Sequence, residues 1–209
     1  MVYNETATKE KGELSMRLYF IRHGQTEANF TRSHSGWNDV TLTETGREQA
    51  RRVGDIIKAI GPDKVYCSDL RRTRDTREIA YPEMEAELCP IIREISVGHL
   101  AGRAVADCIA EYGDDYVHNR KIADYRPYGG ENREDLLSRC RSFLELVEKT
   151  NYERIVAFSH GGFILQTLDT VTGVNNDKSI FGCDNCGVFV FENTGSGWRM
   201  VTWNYTGEL

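Results

Sequence analysis

The sequence contains no long hydrophobic run and no excess of positive charge. No apolar segment among its 209 residues approaches the roughly 20 residues that a helix needs to cross a bilayer, and the polar N-terminus has no signal-peptide core. The formal net charge is −6, which disfavours binding to nucleic acid or to an anionic membrane by bulk electrostatics. We therefore expect a soluble, cytoplasmic protein without nucleic-acid or membrane partners, in which any anion site is a local cluster of positive charge.

Several catalytic and metal-binding motifs are also missing. The six cysteines include one CxxC, Cys183-Asp184-Asn185-Cys186, but no second pair that would complete a zinc site. Thr73 stands six positions after Cys67, so the Cys-x5-Arg spacing of thiol phosphatases is absent, as is a Walker-type phosphate loop. In a chain too large to need disulfide staples we expect reduced thiols. No metal site and no cofactor are predicted.

The order of predicted elements indicates an α/β fold. Apolar, β-prone runs alternate with segments of helical periodicity, as in a largely parallel sheet covered on both faces by helices. Strands are expected at 17–22, 64–67, 86–92 and 155–158, followed by a hairpin of strands 188–192 and 198–204. The prediction is a three-layer α/β/α sandwich whose mostly parallel sheet carries an antiparallel edge element.

The domain organisation follows from composition. Residues 1–15 are polar and lack periodicity, so a disordered extension or leader is expected there. Residues 16–209 contain no internal repeat or linker and are predicted to form a single domain. Between 98 and 130 the pattern is irregular, with helical pieces and interleaved tyrosines and basic residues but no clear strand. We expect this insertion to be a lid that selects the substrate, with tyrosines packing the lid in preference to stacking on a ligand ring.

Capping residues predict where the helices begin and end. Thr43 or Thr45 is expected to cap a helix whose apolar residues recur at three- and four-residue spacing, and Thr45 begins a sequence that fits a capping box. Ser68 is expected to cap a second helix that carries four arginines. Asn132 should cap a third helix, and Gly173 should end the helix predicted at 163–171.

Four apolar runs stop at polar residues. They lead to Arg22-His23, to Ser68 followed by Arg72, to Glu94, and to Ser159-His160. If the strands are parallel neighbours, these ends converge on one pocket. A neutral imidazole such as that of His23 is a nucleophile, and guanidiniums such as those of Arg22 and Arg72 match phosphate oxygens. With Glu94 as the proton donor and His160 stabilising charge, the set predicts phosphoryl transfer.

The ordered motifs of the chain are those of a known family. They are Arg22-His23-Gly24-Gln25-Thr26 with Asn29, then Ser35-Gly36-Trp37, Ser68-Asp69-Leu70-Arg71-Arg72, Glu94 with Gly98 and Gly102, Gly129-Gly130-Glu131, and Ser159-His160-Gly161-Gly162. The chain resembles the histidine phosphatase superfamily, which includes phosphoglycerate mutases and their phosphatase relatives. The match spans nearly everything from Met16 onward. It implies an enzyme without a metal, since guanidiniums and imidazoles supply the positive charge.

The resemblance also implies residue roles. His23 would become a phosphohistidine, and Glu94 would act as the general acid. The phosphoryl group and substrate would be held by Arg22, Asn29, Ser35, Gly36, Arg72, His160 and Gly161.

Departures from the mutase pattern bear on the reaction. Val97 and Gly162 stand where mutases usually have an aromatic residue and an asparagine, and the short lid lacks the mutases' Arg-Arg pair. We therefore expect a metal-independent phosphomonoester hydrolase acting on a small phosphorylated metabolite. A cofactor-dependent phosphoglycerate mutase and a non-catalytic phospho-ligand binding module remain open alternatives. The sequence leaves the natural substrate and the oligomeric state, a homodimer included, undetermined.

Overall fold

One six-stranded sheet organises the part of the chain that this computed structural model describes, residues 15–173 and 181–207. The strands are Met16–Arg22 (β1), Lys64–Cys67 (β2), Glu87–Leu88 (β3), Arg154–Ser159 (β4), Val188–Asn193 (β5) and Trp198–Tyr205 (β6). Their spatial order is β3-β2-β4-β1-β5-β6. Strands β1 to β4 pair in parallel, whereas β5 and β6 are antiparallel. The predicted α/β class, with a mostly parallel sheet and an antiparallel edge, is confirmed.

Six α-helices accompany these strands within the described residues. They are Glu27–Phe30 (α1), Glu44–Ile60 (α2), Arg71–Ala80 (α3), Val105–Ile122 (α4), Arg133–Glu148 (α5) and Gly161–Thr172 (α6). Short 3-10 turns occur at Pro90–Ile92, Gly98–Leu100 and Arg126–Tyr128. None of the described helices combines the length and apolarity that crossing a bilayer requires. The expected cytoplasmic location stays a prediction.

The central strand β1 is buried on both faces of the sheet. Phe20 contacts Phe143 of α5 and Phe163 of α6, with ring centroids 5.9 and 6.0 Å apart. Ile21, on the opposite face, belongs to a second core with Val53 of α2. Burying each of these side chains stabilises the fold by roughly 1.5–3 kcal/mol. The sheet therefore lies between two helical layers, and the carboxyl end of β1 is fixed from both sides.

Caps explain one boundary each of α2, α5 and α6. The hydroxyl of Thr43, not that of Thr45, accepts the Gly46 N–H at 3.0 Å and begins α2. Asn132 begins α5 as predicted, in a reciprocal capping box with Asp135. Gly173 ends α6 in the left-handed conformation, at φ 67°.

Two predictions about secondary structure are wrong. Ser68 does not cap α3, because the helix begins at Arg71 with Leu70 as its N-cap residue and has no side-chain cap. The strand expected at 86–92 contains only Glu87–Leu88, since Pro90 has no N–H for the ladder and begins a 3-10 turn. The chain therefore reaches Glu94 through a tight turn and not from the end of a strand.

The segment 98–130 is helical and contains no strand, as expected. Its long helix α4 is interrupted at Gly113, whose φ of 59° and ψ of −141° are not helical. Tyr116, Tyr125 and Tyr128 are buried, so these tyrosines pack the segment. Its function as a lid stays a prediction. The extension or leader expected at 1–15 lies, apart from the exposed Ser15, outside the described residues.

Candidate active site

Three neighbouring strands deliver their polar ends to one place. β4 lies between β1 and β2, and its last residue pairs with Arg22 at the end of β1. The next residues of these two strands are His160 and His23, whose ring centroids are 5.3 Å apart. Arg72, in the first turn of α3, joins them. We call Arg22, His23, Arg72 and His160 the strand-end cluster.

His23 is held in one orientation. Its Nδ1–H donates to the Gly24 carbonyl oxygen at 2.8 Å, which leaves Nε2 with the lone pair. The ring is only 4 % exposed. Burial, reinforced by the charges of Arg72 and Arg22, holds the pKa of His23 well below its ordinary value of 6.5. The imidazole is therefore neutral at neutral pH, the form in which it can attack phosphorus.

His160 lies behind His23 and is not among the residues that line the cleft described below. Its Nε2 and the Ser68 hydroxyl share a hydrogen bond of 2.8 Å, which is the position that Ser68 takes instead of a helix cap. Burial and the charge of Arg72 lower the pKa of His160 well below its usual value. Its Nδ1 is buried and has no hydrogen-bond partner among the described residues. Buried polar atoms are rarely unpaired, so this nitrogen is a candidate contact for a bound group.

Arg72 is fully buried, in contrast to a solvated surface arginine. It donates to the backbone oxygens of Gly36 at 2.9 Å and Asn38 at 3.2 Å, which fixes the guanidinium plane. Burial lowers its pKa to about 10, so it remains a cation at neutral pH. Arg22 donates to the Cys183 carbonyl oxygen. The Nε atoms of both arginines are buried without a partner in the described part of the chain, and both are suited to phosphate oxygens.

Glu94 lies against the first turn of α6. Its carboxylate accepts hydrogen bonds from the backbone N–H of Ile95 at 2.9 Å and of Gly162 at 3.1 Å. A Cβ added to Gly162 would lie 2.1 Å from Glu94 Oε1. The absence of a side chain at Gly162 is therefore what allows the carboxylate to rest against the first turn of α6.

These groups border a cleft of about 900 Å³. Of the residues predicted to hold the phosphoryl group or substrate, the lining includes Arg22, Asn29, Ser35, Gly36, Arg72 and Gly161, together with His23 and Glu94. Among the described residues of the lining, Glu94 is the only carboxylate. Within 15–173 and 181–207, no group of three or more His, Cys, Asp or Glu is arranged to hold a metal ion. The described cysteines are free thiols.

A family model describing the histidine phosphatase superfamily (branch 1) matches residues 18–206. The chain belongs to this superfamily.

The superfamily members that are similar to this chain are named either as phosphoglycerate mutases or as phosphatases. A 2,3-bisphosphoglycerate-dependent phosphoglycerate mutase of Xanthobacter autotrophicus is 38% identical over 130 residues, 58% of this chain and 63% of the relative. Such a mutase of Gloeobacter violaceus is 30% identical over 192 residues, 86% of this chain and 87% of the relative.

A solved structure, a mycobacterial glucosyl-3-phosphoglycerate phosphatase in complex with VO3, is 28% identical. It superposes with a TM-score of 0.79, covering 90% of this chain and 98% of the phosphatase. The chain is thus a histidine phosphatase superfamily enzyme, with either phosphatase or mutase activity.

The structure adds a support for Glu94 that the sequence did not indicate. Arg139 of α5 donates to the carbonyl oxygens of Arg93 at 2.8 Å and Glu94 at 3.2 Å, and it forms an ion pair with Glu131. Trp37 Nε1–H also donates to the Glu94 carbonyl oxygen, at 2.7 Å. Glu131 and Trp37 lie in recognised motifs, but nothing in the sequence around Arg139 marks it.

Asn185 is a second residue that sequence reasoning missed. It lies inside the CxxC segment and donates from Nδ2 to the His23 carbonyl oxygen at 2.9 Å and to Asn29 Oδ1 at 3.3 Å. The segment therefore supports His23 and Asn29 through the Asn185 side chain, and Arg22 through the Cys183 carbonyl oxygen. The only sequence signal near Asn185 was the flanking cysteine pair, which relates to metal binding and not to the support of His23.

Proposed function

We propose that the chain is a metal-independent phosphomonoester hydrolase that acts through a phosphohistidine on a small phosphorylated metabolite. The observation that carries the proposal is the orientation of His23: Nδ1–H is occupied by the Gly24 carbonyl oxygen, and Nε2 belongs to a neutral, buried imidazole next to two fixed guanidiniums. Such an imidazole is a preorganised nucleophile.

The proposed reaction has two steps. His23 Nε2 attacks phosphorus, the P–O ester bond breaks, and the leaving oxygen takes a proton from Glu94. Arg22, Arg72 and His160 stabilise the charge on the equatorial oxygens. Water then attacks the phosphohistidine, Glu94 accepts the proton from this water, and inorganic phosphate leaves.

Phosphoglycerate mutase activity is the second candidate because the curated relatives described above have that name. A mutase must keep its bisphosphate intermediate until the phosphoryl group is returned, which requires additional contacts to the anion. Gly162 supplies no side chain for this purpose, and any side chain there would displace the Glu94 carboxylate. The close approach of Gly162 to Glu94 therefore favours release of a bisphosphate intermediate, and transfer of the phosphoryl group from His23 to water.

The test is hydrolysis of p-nitrophenyl phosphate and of simple alkyl phosphates in the presence of EDTA. We expect activity to persist with the chelator and to fall by at least about a thousandfold in His23→Ala. His118→Ala removes an exposed histidine and is the matched control. Wild-type protein quenched during turnover should carry acid-labile phosphate on His23.

Three results would count against hydrolysis. Loss of activity with EDTA would contradict metal independence. Conversion of 3-phosphoglycerate to 2-phosphoglycerate that depends on added bisphosphoglycerate, faster than phosphate release, would establish the mutase instead. Labelling of His23 without release of phosphate would indicate a binding module.

A further inference from the structure

Ser68 is a buried residue next to the strand-end cluster to which the proposed reaction assigns no role. It directly follows β2, and its backbone is fixed on both sides. Its N–H donates to the Phe158 carbonyl oxygen at 3.0 Å, and its own carbonyl oxygen accepts the Thr73 hydroxyl at 2.9 Å. The side chain is fully buried, and its hydroxyl oxygen lies 2.8 Å from His160 Nε2. The hydroxyl is therefore held opposite one nitrogen of the His160 ring.

The direction of the hydrogen bond between Ser68 and His160 follows from the other contacts of the hydroxyl. A hydroxyl has one hydrogen to donate and two lone pairs that accept. The Leu70 N–H, at 3.5 Å, approaches the Ser68 oxygen as a donor. Among the described residues, His160 Nε2 is the one acceptor that the hydroxyl reaches. The reverse direction would leave the buried hydroxyl hydrogen unpaired, which is costly, so Nε2 accepts this bond with its lone pair.

The bond at Nε2 decides where His160 carries its ring hydrogen. Burial and the charge of Arg72 lower the pKa of His160, so the ring is neutral and has one hydrogen, which must then be on Nδ1. Nδ1 is buried and has no partner in the described part of the chain. His23 also carries its hydrogen on Nδ1, but donates it to the Gly24 carbonyl oxygen. The two imidazoles therefore present opposite faces of the same tautomer, a lone pair on His23 and an N–H on His160.

We propose that Ser68 is a positioning residue that fixes the tautomer of His160, so that Nδ1–H donates to an oxygen of the transferred phosphoryl group. The proposal rests on the proposed function and adds a residue to its phosphate site. A phosphoryl group on His23 Nε2 supplies the acceptor that this N–H lacks, since the two ring centroids are 5.3 Å apart. The other tautomer would turn a lone pair toward the anion, which repels it. Ser68 itself contacts neither the phosphoryl group nor the leaving group in this arrangement.

The first test is hydrolysis of p-nitrophenyl phosphate by Ser68→Ala. Without the hydroxyl, no described residue holds the ring hydrogen on Nδ1, and we expect kcat to fall by about tenfold, less than the loss of roughly a hundredfold or more for His160→Ala. In the His160→Ala background, Ser68→Ala should add less than about a twofold loss, because Ser68 acts through His160. Equal tenfold losses in both backgrounds, or full activity of Ser68→Ala, would overturn the proposal.

Thr167→Val is the matched control for the lost hydroxyl. Thr167 is as completely buried as Ser68, but its hydroxyl donates to the Phe163 carbonyl oxygen at 2.9 Å, within α6. Its removal should leave kcat within about twofold of the wild type. A tenfold loss in this variant as well would mean that kcat responds to any buried hydroxyl, and the loss in Ser68→Ala would then not support the proposal.

Nitrogen NMR separates positioning from a structural contribution. The ring nitrogen shifts of a histidine distinguish a protonated nitrogen from one with a lone pair, and His160→Gln identifies the signals of His160. At neutral pH the wild type should carry the hydrogen on Nδ1, whereas Ser68→Ala should move toward the Nε2–H form. His23 should remain an Nδ1–H ring in both. A hydrogen on Nε2 of wild-type His160, which needs no variant to detect, or an unchanged tautomer in Ser68→Ala would contradict the proposal.

A binding measurement makes the test independent of turnover. Calorimetric titration with inorganic phosphate should show binding to Ser68→Ala that is roughly threefold or more weaker than binding to the wild type. If no ester is hydrolysed but the tautomer and the phosphate affinity both depend on Ser68, the proposed function fails and the role of Ser68 stands. If esters are hydrolysed and the tautomer of His160 is the same with and without the hydroxyl, only the role of Ser68 fails.

Discussion

The strand-end cluster and the segment 98–130 face the same cleft but are built differently. His23, Arg72 and His160 are almost completely buried, and each has a side-chain hydrogen bond to an atom of the neighbouring backbone or to Ser68. In α4, by contrast, Ile109 is 45% exposed and the helix is interrupted at Gly113. The groups of the proposed reaction are therefore positioned by the sheet, whereas the segment 98–130, which also lines the cleft, is more loosely packed.

Because of this difference, stabilisation of the transition state and selection of the substrate would depend on separate parts of the molecule. A transition-state contact must be made within a fraction of an ångström, and only groups fixed by the backbone and core achieve this. Substrate selection tolerates more freedom, because an exposed charged side chain such as that of Arg120 can change its rotamer. Changes at the strand ends should therefore affect kcat, whereas changes in the segment 98–130 should affect stability or substrate preference.

Among the changes that test this comparison, Gly162→Ala should show the largest effect, because it displaces the Glu94 carboxylate from its position in the cleft. The new Cβ would lie 2.1 Å from Glu94 Oε1, and the flexible end of Glu94 must turn away. For alkyl phosphates, whose leaving oxygen needs a proton, we expect kcat to fall by about a hundredfold, within the usual range for general acid catalysis. Stability should not fall, since alanine favours a helix by up to about 1 kcal/mol over glycine.

The leaving group provides the control for this variant. With p-nitrophenyl phosphate, whose leaving oxygen needs little protonation, the loss should be less than about tenfold. Glu94→Gln in the same background should add little further loss with alkyl esters, because both changes remove one function. Full activity of Gly162→Ala on alkyl phosphates would show that Glu94 does not need its observed position.

The strand ends could be predicted from the sequence, and the route to Glu94 could not. Apolar runs that stop at Arg22-His23 and at His160 identify buried parallel strands, because both faces of such a sheet are covered. The segment before Glu94 is equally apolar, but Pro90 turns it into a 3-10 turn. Short apolar runs do not distinguish these outcomes, so Glu94 lies in the expected cleft but is reached through a different element.

The supports of the site were missed because they depend on long-range contacts. Arg139 contacts the Glu94 segment across 45 positions of sequence, and Asn185 reaches His23 across 162. Neither residue stands where the hydrophobic pattern of the surrounding sequence begins or is interrupted. Ser68 was placed in the right region with the wrong partner, because a hydroxyl before a helix resembles a cap whether it binds the helix or, as here, His160.

The next largest effect is expected on stability, which should depend on pH through the two histidines of the strand-end cluster. Burial lowers the pKa of His23 and His160 below the value of 6.5 that an unfolded chain retains. As pH falls below about 6.5, the unfolded chain therefore takes up protons that the folded chain does not. Each histidine should reduce the free energy of unfolding by up to about 1.4 kcal/mol per pH unit below that value.

Urea denaturation between pH 7.5 and 5 measures this slope. His23→Asn should reduce it by the contribution of one histidine, whereas His118→Asn, at an exposed position of α4, should not change it. Identical slopes in the wild type and His23→Asn would mean that His23 carries the same proton affinity in both states.

The smallest expected effect comes from the segment 98–130 itself. Tyr116 is buried, and its hydroxyl shares a hydrogen bond of 2.6 Å with Nε2 of His34, which ties the middle of α4 to the cleft wall. Tyr116→Phe keeps the ring and removes this bond, so we expect a loss of about 1 kcal/mol in the free energy of unfolding. Tyr128→Phe removes a hydroxyl from a ring 6.3 Å away and is the matched control. Because no hydrogen bond among the described residues links Tyr116 to the strand-end cluster, kcat for p-nitrophenyl phosphate should stay within about twofold of the wild type. A larger fall in kcat would mean that the segment also positions the reacting groups, and the separation between the two regions would not hold.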